Sequence, residues 1–326
     1  MTPRVVVTGS TGFIGRQLCA QLAARGWRVD ALVRTAQTAP PVVARELLWS
    51  HRDAPGQLPR ALQGVDAVIH CAGLAHLLGA DARQAQQRFH DVNVSLSERL
   101  ALQAARAGVR RLVFLSSIKV NGESTDGRGP FLASDPPAPS DAYARSKAEA
   151  EQRLHEIGAE QGLEIVIIRP PLVYGPGVSA NLLRLLAWVS KGVPLPLGAV
   201  CNQRSMIGLD NLCDLITRAV EHPAAAGEVF LAADDEDLST PALVRLMAAG
   251  LGRPARLMPI PTGVVRVAAA VVGRRAEADR LLGSLRVDAS QARSLLGWRP
   301  PVTTAAGIFE MASWYSTDRL AAVARC

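Results

Sequence analysis

Val5-Val6-Val7-Thr8-Gly9-Ser10-Thr11-Gly12-Phe13-Ile14-Gly15 decides the fold. The three valines continue from Arg4 as a short apolar run, the texture of a strand buried in a parallel sheet. Gly9, Gly12 and Gly15 then read G-x-x-G-x-x-G. That spacing suits a tight turn whose backbone approaches a pyrophosphate at the positive end of a helix. From Phe13 to Gly26 apolar residues recur at helical spacing, and Gly26 sits where a C-cap glycine belongs. Strand, glycine turn and helix in that order make a phosphate loop.

Working outward, strands are predicted at Trp27 to Val33, Asp66 to His70, Arg111 to Leu115, Glu164 to Ile168 and Glu228 to Leu231. Helical patterns lie at Ala82 to Ala107, Ser140 to Gln161 and Leu209 to Glu221. Alternating strands and helices over some 170 residues argue an α/β fold with a doubly wound parallel sheet. After Arg169-Pro170-Pro171 prolines and glycines punctuate the chain. A dinucleotide-binding domain is expected from 1–168 plus about 209–232. A smaller C-terminal substrate-binding lobe is expected from 169–208 plus about 233–326. The Val264 to Val272 stretch, interrupted by Arg266, reads as a buried helix too short to span a bilayer.

Composition narrows the function. The chain has 326 residues, 20% of them charged, and a net charge of +7. Its basic residues are scattered, the longest runs being pairs such as Arg110-Arg111, and aromatics are 4%. Neither suits a nucleic-acid arm or a base-stacking platform. A mild positive field does suit a phosphorylated small substrate. Cys19, Cys71, Cys201, Cys213 and Cys326 form no C-x-x-C. No disulfide framework or metal site is expected, in keeping with a cytoplasmic protein. The N-terminus runs straight into a strand pattern, so no signal peptide is expected.

Tyr143-Ala144-Arg145-Ser146-Lys147 is Y-x-x-x-K on a helix, with its ends stacked on one face. An ammonium beside a phenol would lower the phenol's pKa from about 10 toward working pH. Such a group can donate and accept the proton of a carbinol. Ser116-Ser117 follow a strand at the carboxyl end of the sheet, where ligands bind in open α/β folds. One of these hydroxyls could bond the reacting oxygen. At the end of the second strand, Val33-Arg34 stands where an acid would hold the ribose of NAD. Arg34 suits a 2′-phosphate, which points to NADP, with NAD the alternative.

Taken together, these motifs resemble the extended short-chain dehydrogenase/reductases. The likeness adds His70-Cys71-Ala72-Gly73, Asn93 within Val92-Asn93-Val94, and Arg169-Pro170-Pro171-Leu172-Val173-Tyr174-Gly175-Pro176-Gly177. The resemblance is to the NAD(P)-dependent nucleotide-sugar epimerases, dehydratases and reductases and covers essentially the whole chain. It implies a Rossmann domain and cofactor contacts at Gly9, Thr11, Gly12, Phe13, Ile14, Gly15, Arg34, Cys71, Ala72, Gly73, Asn93 and Pro170. It assigns catalysis to Ser117, Tyr143 and Lys147, the last two also touching the cofactor. Substrate contacts are implied at Ser117, Asn181, Leu182, Leu195, Leu197, Arg204 and Arg280. Arg204 and Arg280 would clamp a diphosphate, and Leu195 and Leu197 would line a uracil. The family habit implies a homodimer through helices 82–107 and 140–161.

Within the family, Ser116-Ser117-Ile118-Lys119-Val120-Asn121-Gly122 with the Arg169 segment most resembles reductases of UDP-4-keto-6-deoxy-N-acetylglucosamine. These serve surface polysaccharide synthesis. A UDP-hexose 4-epimerase with tightly held NAD is the alternative, and a catalytically silent NADP sensor the second. No Asp-Glu pair follows Ser117, which places 4,6-dehydration last.

Overall fold

The computed structural model describes residues 2–36, 38–49, 57–75 and 82–323. Its strands are β1 (Arg4–Thr8), β2 (Arg28–Val33), β3 (Arg45–Leu48), β4 (Ala67–His70), β5 (Arg111–Leu115), β6 (Glu164–Arg169), β7 (Leu172–Tyr174), β8 (Met206–Gly208) and β9 (Val229–Leu231). Seven form one parallel sheet in the order β3-β2-β1-β4-β5-β6-β9, and β7 pairs with β8 in a small second sheet. The order reverses between β1 and β4. The strands' carboxyl ends at such a reversal are the place for a ligand in this architecture.

The helices of the first half are α1 (Phe13–Ala24), α2 (Gln57–Ala61), α3 (Ala82–Phe89), α4 (Leu96–Arg106) and α5 (Ala142–Gln161). Those of the second half are α6 (Ala180–Ser190), α7 (Leu209–Glu221), α8 (Thr240–Gly250), α9 (Thr262–Val271), α10 (Arg275–Leu282), α11 (Ser290–Leu296) and α12 (Thr304–Val323). Alternate strand residues go to opposite faces. Val5 and Val7 pack with Leu18 and Leu22 of α1 and Leu212, Leu215 and Ile216 of α7. Val6, Val68 and Phe114 pack on the other face with Leu100 of α4 and Leu154 of α5. Both faces are covered, which is why these strands read as unbroken apolar runs.

A third cluster joins Leu185, Leu186 and Val189 of α6, Val244 and Met247 of α8, and Ile308 and Met311 of α12. This second group of helices begins after β6, and the chain returns to the main sheet through α7 and β9.

Three local features differ from the sequence reading. The helix expected over 82–107 is broken by a π-helical turn at His90–Ser95. β3 is a four-residue edge strand with two charged residues, too short to register as a pattern. The helix over Val264 to Val272 is not buried. α9 has no buried residue, and Val264, Val267 and Val271 are 57%, 66% and 82% exposed. Only Val265 and Ala269 pack against the third cluster, so one thin side of an apolar helix is covered. Among the described residues no helix is long and apolar enough to cross a membrane.

Candidate active site

Gly9 has φ +69°, and a Cβ there would lie 2.7 Å from the Ala72 nitrogen. A Cβ on Gly15 would collide with the Gly9 carbonyl. The loop therefore needs glycine at both places. Gly12 N–H closes the turn on the Gly9 carbonyl at 2.9 Å. Gly12 is also the N-cap of α1, with no side chain capping it and no acid in the first turn. The N-terminal N–H groups and helix dipole thus face outward, ready for an anion. Thr11 and Gly12 are exposed, while Phe13 and Ile14 turn partly into the core. Ser10 Oγ is buried without a partner beside them.

The β4 loop is drawn against this turn. Thr8 Oγ1 bonds His70 Nδ1 at 2.6 Å and accepts the Ala72 N–H at 3.1 Å. His70 Nε2 meets Ser97 Oγ at 2.9 Å. Burial, and secondarily the Lys147 charge, push His70 down to about 3, so it is neutral. Burial pushes the Cys71 thiol up to about 12, so it is an apolar wall and no nucleophile. A Cβ on Gly73 would lie 3.3 Å from both Asn93 Oδ1 and Lys147 Nζ. Asn93 sits in the π turn. It accepts Leu74 N–H at 2.8 Å and donates to Leu74 O at 3.0 Å and Ser146 Oγ at 2.9 Å. The widened turn is what lets a residue of this helix bracket the β4 loop.

Glycines without Cβ room, an open helix N-terminus and an orphaned buried hydroxyl converge on one crevice. They fit a dinucleotide. Mid-strand Asp30 does not serve it. That carboxylate is buried and ion-paired to Arg4 at 2.6 Å and Arg45 at 3.3 Å. At the strand end Val33 is buried and Arg34 exposed.

α5 carries the reactive groups. Asp141 caps it by accepting Ala144 N–H at 2.7 Å, and Gly162 ends it at φ +69°. Ser117 lies beside Tyr143 and pulls its pKa down, and its partly exposed hydroxyl accepts Lys119 N–H at 3.3 Å. Pro170 O receives Ile118 N–H at 3.0 Å, setting that loop. Lys147 finds its partners on β5. Its ammonium donates to Leu115 O at 2.8 Å and lies 4.3 Å from the Phe114 ring centroid. The expectation that Lys147 lowers the Tyr143 pKa is therefore corrected. Burial raises the phenol's pKa, Asp141 adds to that, and Ser117 opposes it. Burial brings Lys147 itself down to about 8, against the pull of Glu151.

Beneath the pair runs a network that no motif announced. Ser116 Oγ donates to Glu151 Oε1. Arg169 reaches Glu151 through Nε at 3.0 and 3.1 Å and through Nη2 at 2.5 Å, and Asn121 Oδ1 at 3.0 Å. Ser116 thus faces inward while Ser117 faces Tyr143. Tyr143, Lys147 and Glu151 recur every four residues on one helix face, the signal that could have found the acid. Lys119 pairs with Asp141 at 2.6 Å and Glu123 at 2.5 Å.

Across the crevice the second helical group holds a cavity of about 480 Å³, lined among others by Asn181, Leu182, Leu195, Leu197, Arg204 and Arg280. Arg204 donates to Arg280 O at 2.6 Å and Gly283 O at 3.0 Å. Burial lowers its pKa, but a guanidinium stays charged. Arg280 is exposed at the rim, and Asn181 accepts from Arg184.

The chain matches the NAD dependent epimerase/dehydratase family over residues 5–233. It belongs to that family. Membership makes it an NAD(P)-dependent enzyme on a Rossmann-type sheet. It is 39% identical to UDP-glucose 4-epimerase of Vibrio cholerae, over 96% of this chain and 95% of that one. It is 27% identical to N-acetyl-alpha-D-glucosaminyl-diphospho-ditrans,octacis-undecaprenol 4-epimerase of Escherichia coli O157:H7, over 81% and 78%. The solved UDP-glucose 4-epimerase of Thermotoga maritima with UDP-glucose superposes with a TM-score of 0.76. It is 21% identical and covers 97% of this chain and 99% of that one. Both curated relatives are 4-epimerases by name. Cys19, Cys71, Cys201 and Cys213 are free thiols, and Cys326 lies outside the described residues.

Proposed function

We propose that this member of the family is a 4-epimerase of a UDP-hexose or UDP-N-acetylhexosamine, retaining its dinucleotide through the cycle. The observation that carries this is the Ser117–Tyr143 pair, set between the phosphate loop and the cavity that holds Arg204. The Vibrio cholerae relative supports the epimerase outcome.

The residues divide the work. Gly9, Gly12 and Gly15 and the open end of α1 would hold the pyrophosphate of the dinucleotide, and Lys147, Asn93 and Gly73 its nicotinamide side. When bound, the nicotinamide supplies the hydride acceptor and a positive charge that favours the phenolate. Tyr143 Oη takes the proton of the C4 hydroxyl and later returns it. Ser117 holds the same oxygen. Arg204, with Arg280 at the rim, grips the diphosphate while the sugar turns between the two hydride transfers. The division into a cofactor part (1–168 and about 209–232) and a substrate part belongs to this reading, as do a cytosolic location and a homodimer through the helical stretches 82–107 and 140–161.

Incubation with UDP-glucose or UDP-N-acetylglucosamine without added cofactor tests the reading. The C4 epimer should appear by NMR, with no net consumption of NAD(P)H. Product formation only from a 4-keto sugar, at one NAD(P)H per turnover, would make the enzyme a reductase instead.

Two variants probe the ligands. Arg204→Ala should weaken binding of the UDP-sugar by ~1.5–3 kcal/mol, the worth of a charge-assisted bond. Calorimetry should find dinucleotide binding unchanged; equal loss of both ligands would put Arg204 in the wrong site. At the end of β2, Val33 cannot accept a ribose hydroxyl and Asp30 is engaged elsewhere. NADP should therefore bind about tenfold tighter than NAD, ~1.4 kcal/mol. Arg34→Ala should erase the difference, and a clear NAD preference in the wild type refutes it.

A further inference from the structure

Much of the wall of the cavity that holds Arg204 is hydrocarbon. Leu185, Trp188, Val193, Leu243, Val265 and Val272 are among its walls. Its charged walls are Arg184, Arg204, Arg274, Glu277 and Arg280, and its two hydroxyls are already occupied. Thr240 Oγ1 donates to Leu281 O at 2.6 Å and accepts from Asn202 at 3.0 Å. Ser239 Oγ caps α8 through Ala242 N–H at 3.2 Å.

The segment expected to line a uracil is engaged as well. Leu195 N–H bonds Arg256 O at 2.8 Å and its carbonyl accepts Met258 N–H at 2.8 Å. Gly198 N–H bonds Met258 O at 2.9 Å. A uracil edge needs partners for its donor and acceptors, and these backbone groups already have theirs. Hydrocarbon needs only apolar surface.

Charge sits where a diphosphate would lie. Arg184, Arg204, Arg274 and Arg280 all border the cavity. α9 closes one side, with Val265 and Ala269 facing in. Its remaining valines, Val264, Val267 and Val271, carry the apolar surface outward. A chain longer than the cavity would meet these valines on leaving it over α9, beside the Arg266–Asp279 ion pair.

We infer that this cavity also takes sugars whose diphosphate is esterified to an isoprenoid chain, the chain lying along Leu185, Trp188 and Val265 and leaving over α9. The sugar end rests on the epimerase reading; the apolar end rests on the cavity alone.

Calorimetry on the full chain with geranyl, farnesyl and geranylgeranyl diphosphate, and with inorganic pyrophosphate, tests it. Affinity should rise from pyrophosphate to geranyl to farnesyl, by roughly tenfold or more per five-carbon unit while the added carbons are buried. Val265→Asp should flatten the series. Val265 is half-buried at the surface of a helix, so the variant should fold; Ala269→Asp is the second probe of the same wall.

Three isoprenoid diphosphates binding no tighter than pyrophosphate would overturn the proposal. So would a rising series that neither variant changes, since the chain would then lie elsewhere. Turnover of UDP-N-acetylglucosamine with a flat series removes this inference and keeps the epimerase. A rising series without turnover of any UDP-sugar does the reverse.

Discussion

Tyr143→Phe should lower turnover by about 10²–10⁴ while leaving dinucleotide binding nearly intact. Only the hydroxyl is removed, and its neighbour Ser117 is partly exposed, so water can reach the vacated place. Lys147 is committed to Leu115 O and the Phe114 ring. Retention of more than a tenth of wild-type kcat would remove Tyr143 from the proton transfer. The pH profile gives a second readout. Ser117 lowers the phenol's pKa against burial. Ser117→Ala removes that pull, so the phenol's pKa rises. The rise of kcat with pH should then move to higher pH; movement to lower pH would contradict the pairing.

The other large effect concerns stability. Glu151 and Arg169 side chains are each 6% exposed and joined by several hydrogen bonds. Removing one member leaves a buried charge without its counterion. Arg169→Met should therefore cost about 3–5 kcal/mol in urea unfolding. Glu151→Leu combined with Arg169→Met should recover much of it, because an apolar pair buries no charge. A single-variant cost below about 1 kcal/mol, the range of exposed pairs, would mean that water reaches the site. Because Ser116 and Asn121 hang on the same pair, the single variant should also loosen the turn that presents Ser117.

The phosphate loop was legible because two independent signals coincide there: a valine run of strand character and glycines at positions that tolerate no Cβ. The Y-x-x-x-K face was legible for its spacing. Its electrostatics were not, because spacing places Lys147 on the same face as Tyr143 without saying which way the side chain turns. Once Leu115 O and the Phe114 ring are in place, the ammonium goes there. The π turn at His90–Ser95 left no trace, since helical periodicity persists on either side. α9 was misread for a different reason. Apolar composition states what a helix could bury, and nothing in Val264 to Val272 says how little of it the neighbours cover. Epimerase and reductase could not be separated from residues alone, because both use Ser117, Tyr143 and Lys147 for the same proton.

The placement of β9 has a consequence for biosynthesis. β6 ends at Arg169, and its outer neighbour begins only at Val229, after β7, α6, β8 and α7 have been made. While the ribosome delivers that stretch, the edge of β6 stands open, with Ile165, Val166, Ile167 and Ile168 in a row beside unpaired backbone groups. Parallel pairing across such a sequence distance closes late and slowly. The nascent chain is therefore most prone to aggregate between emergence of β6 and arrival of β9, and a chaperone that shields strand edges would act in that interval.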